Sequence, residues 1–327
     1  MKALIENFTT QLQEALAIGK KSKYTFPEVT FGEVVVSGLG GSGIGASIVQ
    51  EYVYDKLDVP FLVNKNYFIP KFVNARTLFI ACSYSGNTEE TLQAVESARK
   101  AKAVIVCVSS GGELSVFAKT NNYPLIEIPG GLQPRACLGY SLVQLLFILK
   151  KAKLLKTAFE KEIADAIVRI NKDTKAMQKK ALSVASCLVD KQVAIYTTAG
   201  KEGLAVRFKQ QLNENAKILG WSNVIPEMTH NEIVGWRAAN KDVAVIFCYH
   251  ALDFPKNLKR LKVLKKIVKK YNPDVSEISI KGESYLEQAF YFIHLTDWVS
   301  FHLSSLNGHD PIEVKVIDYL KSEMAKK

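Results

Sequence analysis

Long apolar runs are missing from this chain of 327 residues. The longest, Leu142 to Leu149, includes Gln144 and falls well short of the ~18 residues that a membrane-crossing helix needs. No membrane partner is expected. Paired metal or redox ligands are missing too. The five cysteines (Cys82, Cys107, Cys137, Cys187, Cys248) form no C-x-x-C pair, and the five histidines (His230, His250, His294, His302, His309) form no H-x-x-x-H pair. These spacings argue against a disulfide framework or a structural metal. Cys82, Cys107 and Cys248 lie inside apolar strand-like runs, where a buried free thiol is the common outcome. His294 and His302 share a helix face but stand too far apart to hold one ion. The N-terminal stretch carries Glu6 and Glu14 and lacks the apolar core of a secretory signal, so a cytoplasmic location is expected. There is no low-complexity tract.

Negative charge is also in short supply, and the chain carries a net charge of +11. A nucleic-acid partner is the first reading of such an excess. Much of it is local, however, because Lys256 to Lys270 holds seven lysines and Arg260. Set against Leu258, Leu261, Leu264, Ile267 and Val268, these make an amphipathic helix with a basic outer face. A solvated surface helix explains it, and attraction of an anionic substrate is the alternative. With no zinc finger, no RNP-like aromatic motif and no clear helix-turn-helix, nucleic acid is not an expected partner.

What is present is alternation. Residues 1–30 read as a helical segment ending in a Pro27-containing connection. Apolar runs at 34–37, 61–63, 78–82, 104–108 and 125–128 look like buried strands, with helical patterns between most of them. Continuous apolar strands in β-α-β order predict a parallel sheet covered on both faces. Long helical periodicity over 158–189 follows. The alternation then restarts with strands at 193–198, 243–248 and 276–280, and helices over 285–306 and 312–324 close the chain. The fold class is therefore α/β, in two lobes that are each a mostly parallel sheet flanked by helices. The division runs 1–30, an N-terminal helical segment; 31–155, a first lobe that binds phosphate; 156–190, a linking helix; and 191–327, a second lobe with C-terminal helices. Thr197-Thr198-Ala199-Gly200 echoes Ser37-Gly38-Leu39-Gly40.

Two glycine-serine turns carry the chemistry: GLGGSGIG at Gly38–Gly45 and SYSGNTEET at Ser83–Thr91. Each follows an apolar run and opens into a helical pattern. Helix N-termini offer unpaired N–H donors and a positive dipole end, which suits a phosphate. The second turn packs Ser83, Ser85, Asn87 and Thr88 together, more hydroxyls than a nucleotide fold needs and about what a small phosphorylated metabolite would use. A nicotinamide site fits poorly. That fingerprint wants an acidic residue ending the second strand, and here Asn64-Lys65-Asn66 follows Phe61-Leu62-Val63.

These turns, with PGGLQPRACLGYS (129–141), resemble sugar isomerase (SIS) domains. NENAK at Asn213–Lys217, HNEIVGW at His230–Trp236 and DPIEVKVIDYLK at Asp310–Lys321 narrow the resemblance to bifunctional phosphoglucose/phosphomannose isomerases, which carry two SIS domains. It covers residues 31 to the end. It implies a site for a phosphorylated hexose and a homodimer with the site shared across the interface. Phosphate would lie on Gly41 and Ser42 in the first turn and on Ser83, Ser85 and Thr88 in the second. Arg135 matches the active-site arginine, Glu214 the catalytic base, and His230 the ring-opening histidine contributed by the neighbouring subunit. The site lysine aligns with Lys321, with Lys315 close by. No cofactor or metal is implied.

Such a set suits aldose–ketose isomerisation, which moves a proton between C1 and C2 through a cis-enediol. The chemistry needs a phosphate anchor, an acid–base group for ring opening, a carboxylate base and positive charge near the enediolate. Taken singly, the same residues have plainer explanations. Glu214 among Arg207, Lys209 and Lys217 could be a surface ion-pair partner, Ser42 and Thr88 could be helix caps, His230 a solvated histidine, and Arg135 a pin for its glycine turn. Their joint occurrence in matching motifs favours the functional explanation. A non-catalytic sugar-phosphate-binding protein, or an isomerase for another phosphosugar, is the alternative.

Overall fold

The computed structural model describes residues 1–238, 241–324 and 326. Contacts divide the chain into two compact units, one formed by Glu6–Asn171 with Gly282–Phe290, the other by Met1–Ile5, Lys172–Lys281 and Tyr291–Lys327.

The N-terminal unit begins after helix α1 (Lys2–Glu6), with α2 (Phe8–Lys21). Its sheet holds β1 (Glu33–Ser37), β2 (Phe61–Asn64), β3 (Thr77–Ser83), β4 (Val104–Ser109) and β5 (Leu125–Glu127) in the order β2-β1-β3-β4-β5. Every pairing is parallel. Helices α3 (Gly40–Val53), α4 (Glu89–Lys100), α5 (Gly112–Thr120) and α6 (Leu138–Lys151) alternate with the strands. The residues of β3 are all buried, which is why Leu78–Cys82 reads as an unbroken apolar run. Because the sheet is parallel, the turns after β1 and β3 emerge side by side at the carboxyl ends of two adjacent central strands, where ligands bind in open α/β sheets.

The amphipathic stripe of α2 is spent on α6. Gln11 donates to the Ala136 carbonyl at 2.7 Å and accepts the Gly139 N–H at 2.9 Å, and Gln144 donates to the Ala15 carbonyl at 2.8 Å. The N-terminal helix thereby braces the segment that carries Arg135.

Helix α7 (Phe159–Ser186) belongs to both units, as does α10 (Tyr285–Leu306). The C-terminal unit builds a second parallel sheet from β6 (Gln192–Thr198), β7 (Gly220–Ile225), β8 (Val243–His250) and β9 (Val275–Ile280), in the order β7-β6-β8-β9. Helices α8 (Glu202–Ala216), α9 (Pro255–Tyr271) and α11 (Lys315–Met324) complete it. The lysine-rich helix α9 buries Leu261, Leu264 and Val268 and turns its cations outward. Strand β7 is absent from the expected pattern. It is an edge strand, mostly half-buried, and its Gly-Trp-Ser-Asn start leaves no apolar run to detect.

Candidate active site

In the N-terminal unit three motifs converge at the ends of β1 and β3. Helix α3 starts at Gly40, whose φ of +51° suits glycine. By helix geometry its first N–H groups have no intrahelical acceptor. The turn is packed backbone to backbone: a Cβ on Gly38 would lie 2.8 Å from the Cys82 carbonyl, and one on Gly43 only 2.4 Å from the Gly38 carbonyl. A Cβ on Gly41 would approach the Pro134 carbonyl at 3.1 Å, so the Arg135 turn lies against the opening of α3. Ser42 sits inside the first turn of α3, beyond the Leu39 cap position, and so is not the cap. Its hydroxyl hydrogen-bonds the Cys82 thiol, which burial pushes up to about 11.

The second turn is held by its own polar groups. Ser83 and Thr88 share a hydroxyl hydrogen bond at 2.8 Å, and Ser83 Oγ also accepts the Gly86 N–H at 3.1 Å. Thr88 stands at the N-cap position of α4, yet its side chain makes no capping bond; it is turned toward Ser83. Ser85 is exposed and accepts the Asn87 N–H at 3.2 Å. Asn87 in turn accepts the Glu113 N–H at 3.0 Å. Gly86 has φ +73°, and a Cβ there would fall 1.8 Å from the Gly111 carbonyl, so only glycine lets the two loops close.

Arg135 lies on a 3-10 turn, Pro134–Ala136, and is only 6% exposed. Its Nη1 reaches Gln133 Oε1 at 3.3 Å. Tyr84, from the second turn, accepts the Leu132 N–H at 3.0 Å and so ties the arginine segment to the phosphate-type turn. The structure therefore brings together Gly41, Ser42, Ser83, Ser85, Thr88 and Arg135, and adds Gln11, Tyr84 and Asn87 as supports. Sequence inspection had named Asn87 in the second turn but missed Tyr84 and Gln11. Tyr84 at least lay within the motif; nothing local marked Gln11.

The C-terminal unit carries the remaining candidates. Glu214 stands half-buried in the last turn of α8. That helix is anchored by Arg207, whose Nη2 lies 3.2 Å from Asp297, and by Gln211, which donates to Asp297 at 2.6 Å. Asn215 donates to Ser300 at 2.9 Å and Asn213 to the Ile218 carbonyl at 2.7 Å, so both amides brace the helix end beneath the carboxylate. Lys217 adopts the left-handed conformation that ends α8 and donates to the carbonyls of Glu214, Asp310 and Glu313 at 2.7, 2.8 and 2.7 Å. This one ammonium binds the NENAK motif to the DPIE motif. Lys321 and Lys315 both lie on α11, which buries no residue, and both are exposed.

His230 ends a 3-10 turn, Glu227–His230, and is exposed. The loop around it is fixed by Glu232, a residue the sequence reading passed over. Its carboxylate accepts from the Tyr196 hydroxyl, from Trp221 Nε1 at 2.6 Å and from Asn223 Nδ2 at 2.6 Å. Trp236 Nε1 donates to Tyr196 Oη at 3.0 Å. Burial, followed by the Glu232 carboxylate, raises the Tyr196 phenol above its ordinary range and keeps it a donor. Among the described residues no group of His, Cys, Asp and Glu is arranged to hold a metal ion, and no helix is long and apolar enough to cross a membrane.

Residues 177–324 match the family profile described as bacterial phospho-glucose isomerase C-terminal SIS domain. A Clostridium difficile 630 protein, provisionally assigned as a phosphosugar isomerase, superposes with a TM-score of 0.81 at 16% identity, covering 100% of this chain and 98% of that one. The fold is thus that of SIS proteins. A bifunctional phosphoglucose/phosphomannose isomerase from Caldicellulosiruptor bescii is 36% identical over 98% of both chains. One from Aquifex aeolicus is 35% identical over 90% of both. The chain belongs to the bifunctional phosphoglucose/phosphomannose isomerase family.

Proposed function

We propose that this protein interconverts glucose 6-phosphate, and mannose 6-phosphate, with fructose 6-phosphate through a cis-enediol. The observation that carries this is the cradle of hydroxyls and helix N–H donors formed by Gly41, Ser42, Ser83, Ser85 and Thr88 beside a buried arginine. Family membership supports the same conclusion. The phosphate rests on the two turns, where charge-assisted hydrogen bonds favour a dianion. Arg135 stays protonated throughout and neutralises the developing enediolate.

Glu214 is the base that carries a proton between C1 and C2. His230 donates to the ring oxygen on opening and takes the proton back on closure, a task suited to imidazole chemistry. Lys321, with Lys315 as the alternative, adds positive charge at the sugar. Proton transfer by these side chains calls for no metal or redox cofactor. The proposed assembly is a cytoplasmic homodimer in which His230 serves the neighbour's site.

A coupled assay starting from fructose 6-phosphate, with chelator present, tests this by reading glucose 6-phosphate and mannose 6-phosphate separately. Both products are expected, and Glu214→Gln should lower kcat by about 10³-fold, within the range for a lost general base. Glucose 6-phosphate alone would narrow the substrate range. Binding of sugar phosphate without turnover would instead make the protein a sensor, and turnover of neither hexose would point to another phosphosugar.

A further inference from the structure

The two sheets can be laid over each other residue by residue. In the N-terminal unit Ser37 of β1 pairs with Ala81 of β3, and in the C-terminal unit Thr197 of β6 pairs with Cys248 of β8. That register equates Ser83 with His250, Gly40 with Gly200, Gly41 with Lys201 and Gly86 with Asp253. Independent features agree. Gly40 and Gly200 both have positive φ, +51° and +85°. The Gly86 N–H donates to the Ser83 carbonyl at 3.2 Å, and the Asp253 N–H donates to the His250 carbonyl at 3.1 Å. The C-terminal unit thus carries turns related to the phosphate-type turns, with α8 starting at Glu202, two residues later in this register than α3 at Gly40.

What fills that space differs. In the second unit the Asp253 carboxylate accepts from Thr198 Oγ1 at 2.7 Å, from the His250 N–H at 2.9 Å and from the Lys201 ammonium. A hydroxyl, a backbone N–H and a cation are the donor types that hold an oxyanion. They are enclosed: Thr198 is 1% exposed, and Lys201 and Asp253 are 8% exposed each. A surface ion pair would not be buried so deeply, because desolvating both charges costs more than an isolated contact returns.

We infer that the C-terminal unit holds a second anion cradle, closed by the chain's own Asp253 carboxylate, and that each chain therefore seats one phosphate, in the N-terminal unit. Only the count depends on the function proposed above. Removing the carboxylate leaves a buried ammonium and hydroxyl without an acceptor, a strong drive to take up a small anion from solution. Acetate matches the lost side chain in size and charge.

The test compares the parent protein with Asp253→Gly. Titration with inorganic phosphate should count one site per parent chain. The Tm of Asp253→Gly should rise by at least ~5 °C with saturating acetate, but not with chloride at equal ionic strength. The parent should not respond, and adding Lys201→Met should abolish the response. If Asp253→Gly fails to fold in plain buffer, the same readout is its refolding yield with and without acetate. Asp253→Asn, which keeps the shape and drops the charge, should fold with a lowered Tm that Lys201→Met partly restores. Two phosphate sites in the parent, or no acetate effect together with no Lys201→Met recovery, would overturn the inference. A parent count of zero would fault the assignment of the first cradle and leave the acetate result to judge the second.

Discussion

His294 lies in the interior of α10, 3% exposed, with Nε2 accepting the Trp298 indole N–H at 3.2 Å. Burial pushes its imidazole from 6.5 down to about 4. Since the folded value is depressed, the unfolded chain takes up this proton first as pH falls. The contribution to stability is full above about pH 6.5, is lost between there and about pH 4, and then levels off. Across that window the loss is on the order of 3 kcal/mol. Urea midpoints from pH 7 to 4 should therefore fall more steeply for the parent than for His294→Gln, which keeps an acceptor for the indole. Parallel slopes would show that another group carries the acid limb. At this same scale the sequence could single out Ser83, Thr88 and Arg135 as candidates because motif spacing is visible in one dimension. Glu232 was not readable, since an acid in a polar loop looks solvated until Tyr196, Trp221 and Asn223 are folded around it.

The element that most needs explaining is the loop that carries His230. Among its described residues there is no regular backbone pairing beyond the 3-10 turns, and Glu232 supplies three side-chain acceptor contacts in place of a ladder. Glu232→Gln puts an amide against donors on two strands, which should cost about 2 kcal/mol of stability and lower kcat. In a His230→Ala background the stability loss should recur while kcat falls no further. An undiminished kcat effect there would mean that Glu232 acts on the site by some route other than the histidine. The helices and buried strands were largely legible, because period 3.6 and continuous apolar runs are local signals. β7 escaped for the opposite reason, as its role is set by β6, with which Tyr196 and Asn223 stand in register.

For the whole molecule, the proposed two-fold assembly makes a simple prediction. Sedimentation should report twice the chain mass of 36.4 kDa, and specific activity should drop on dilution below the dissociation range. Full activity from a monomer would exclude a histidine donated by a neighbour. The proposed dimer also gives context to α11, whose Val316, Leu320 and Met324 are 82%, 61% and 69% exposed, a stripe of apolar surface unusual for a monomer.

The sequence alone determined the α/β class, the parallel character of the sheets and the family, because each is written in short-range patterns of apolar runs, glycine turns and motif spacing. Tertiary structure alone decided that Gln11 supports the arginine turn, that Lys217 binds two motifs, that Glu232 holds the histidine loop, and that Asp253 fills the second cradle. Each of these rests on a polar side chain meeting partners far away in sequence. A polar residue shows no periodic signature, and its burial is acceptable only once those partners have arrived.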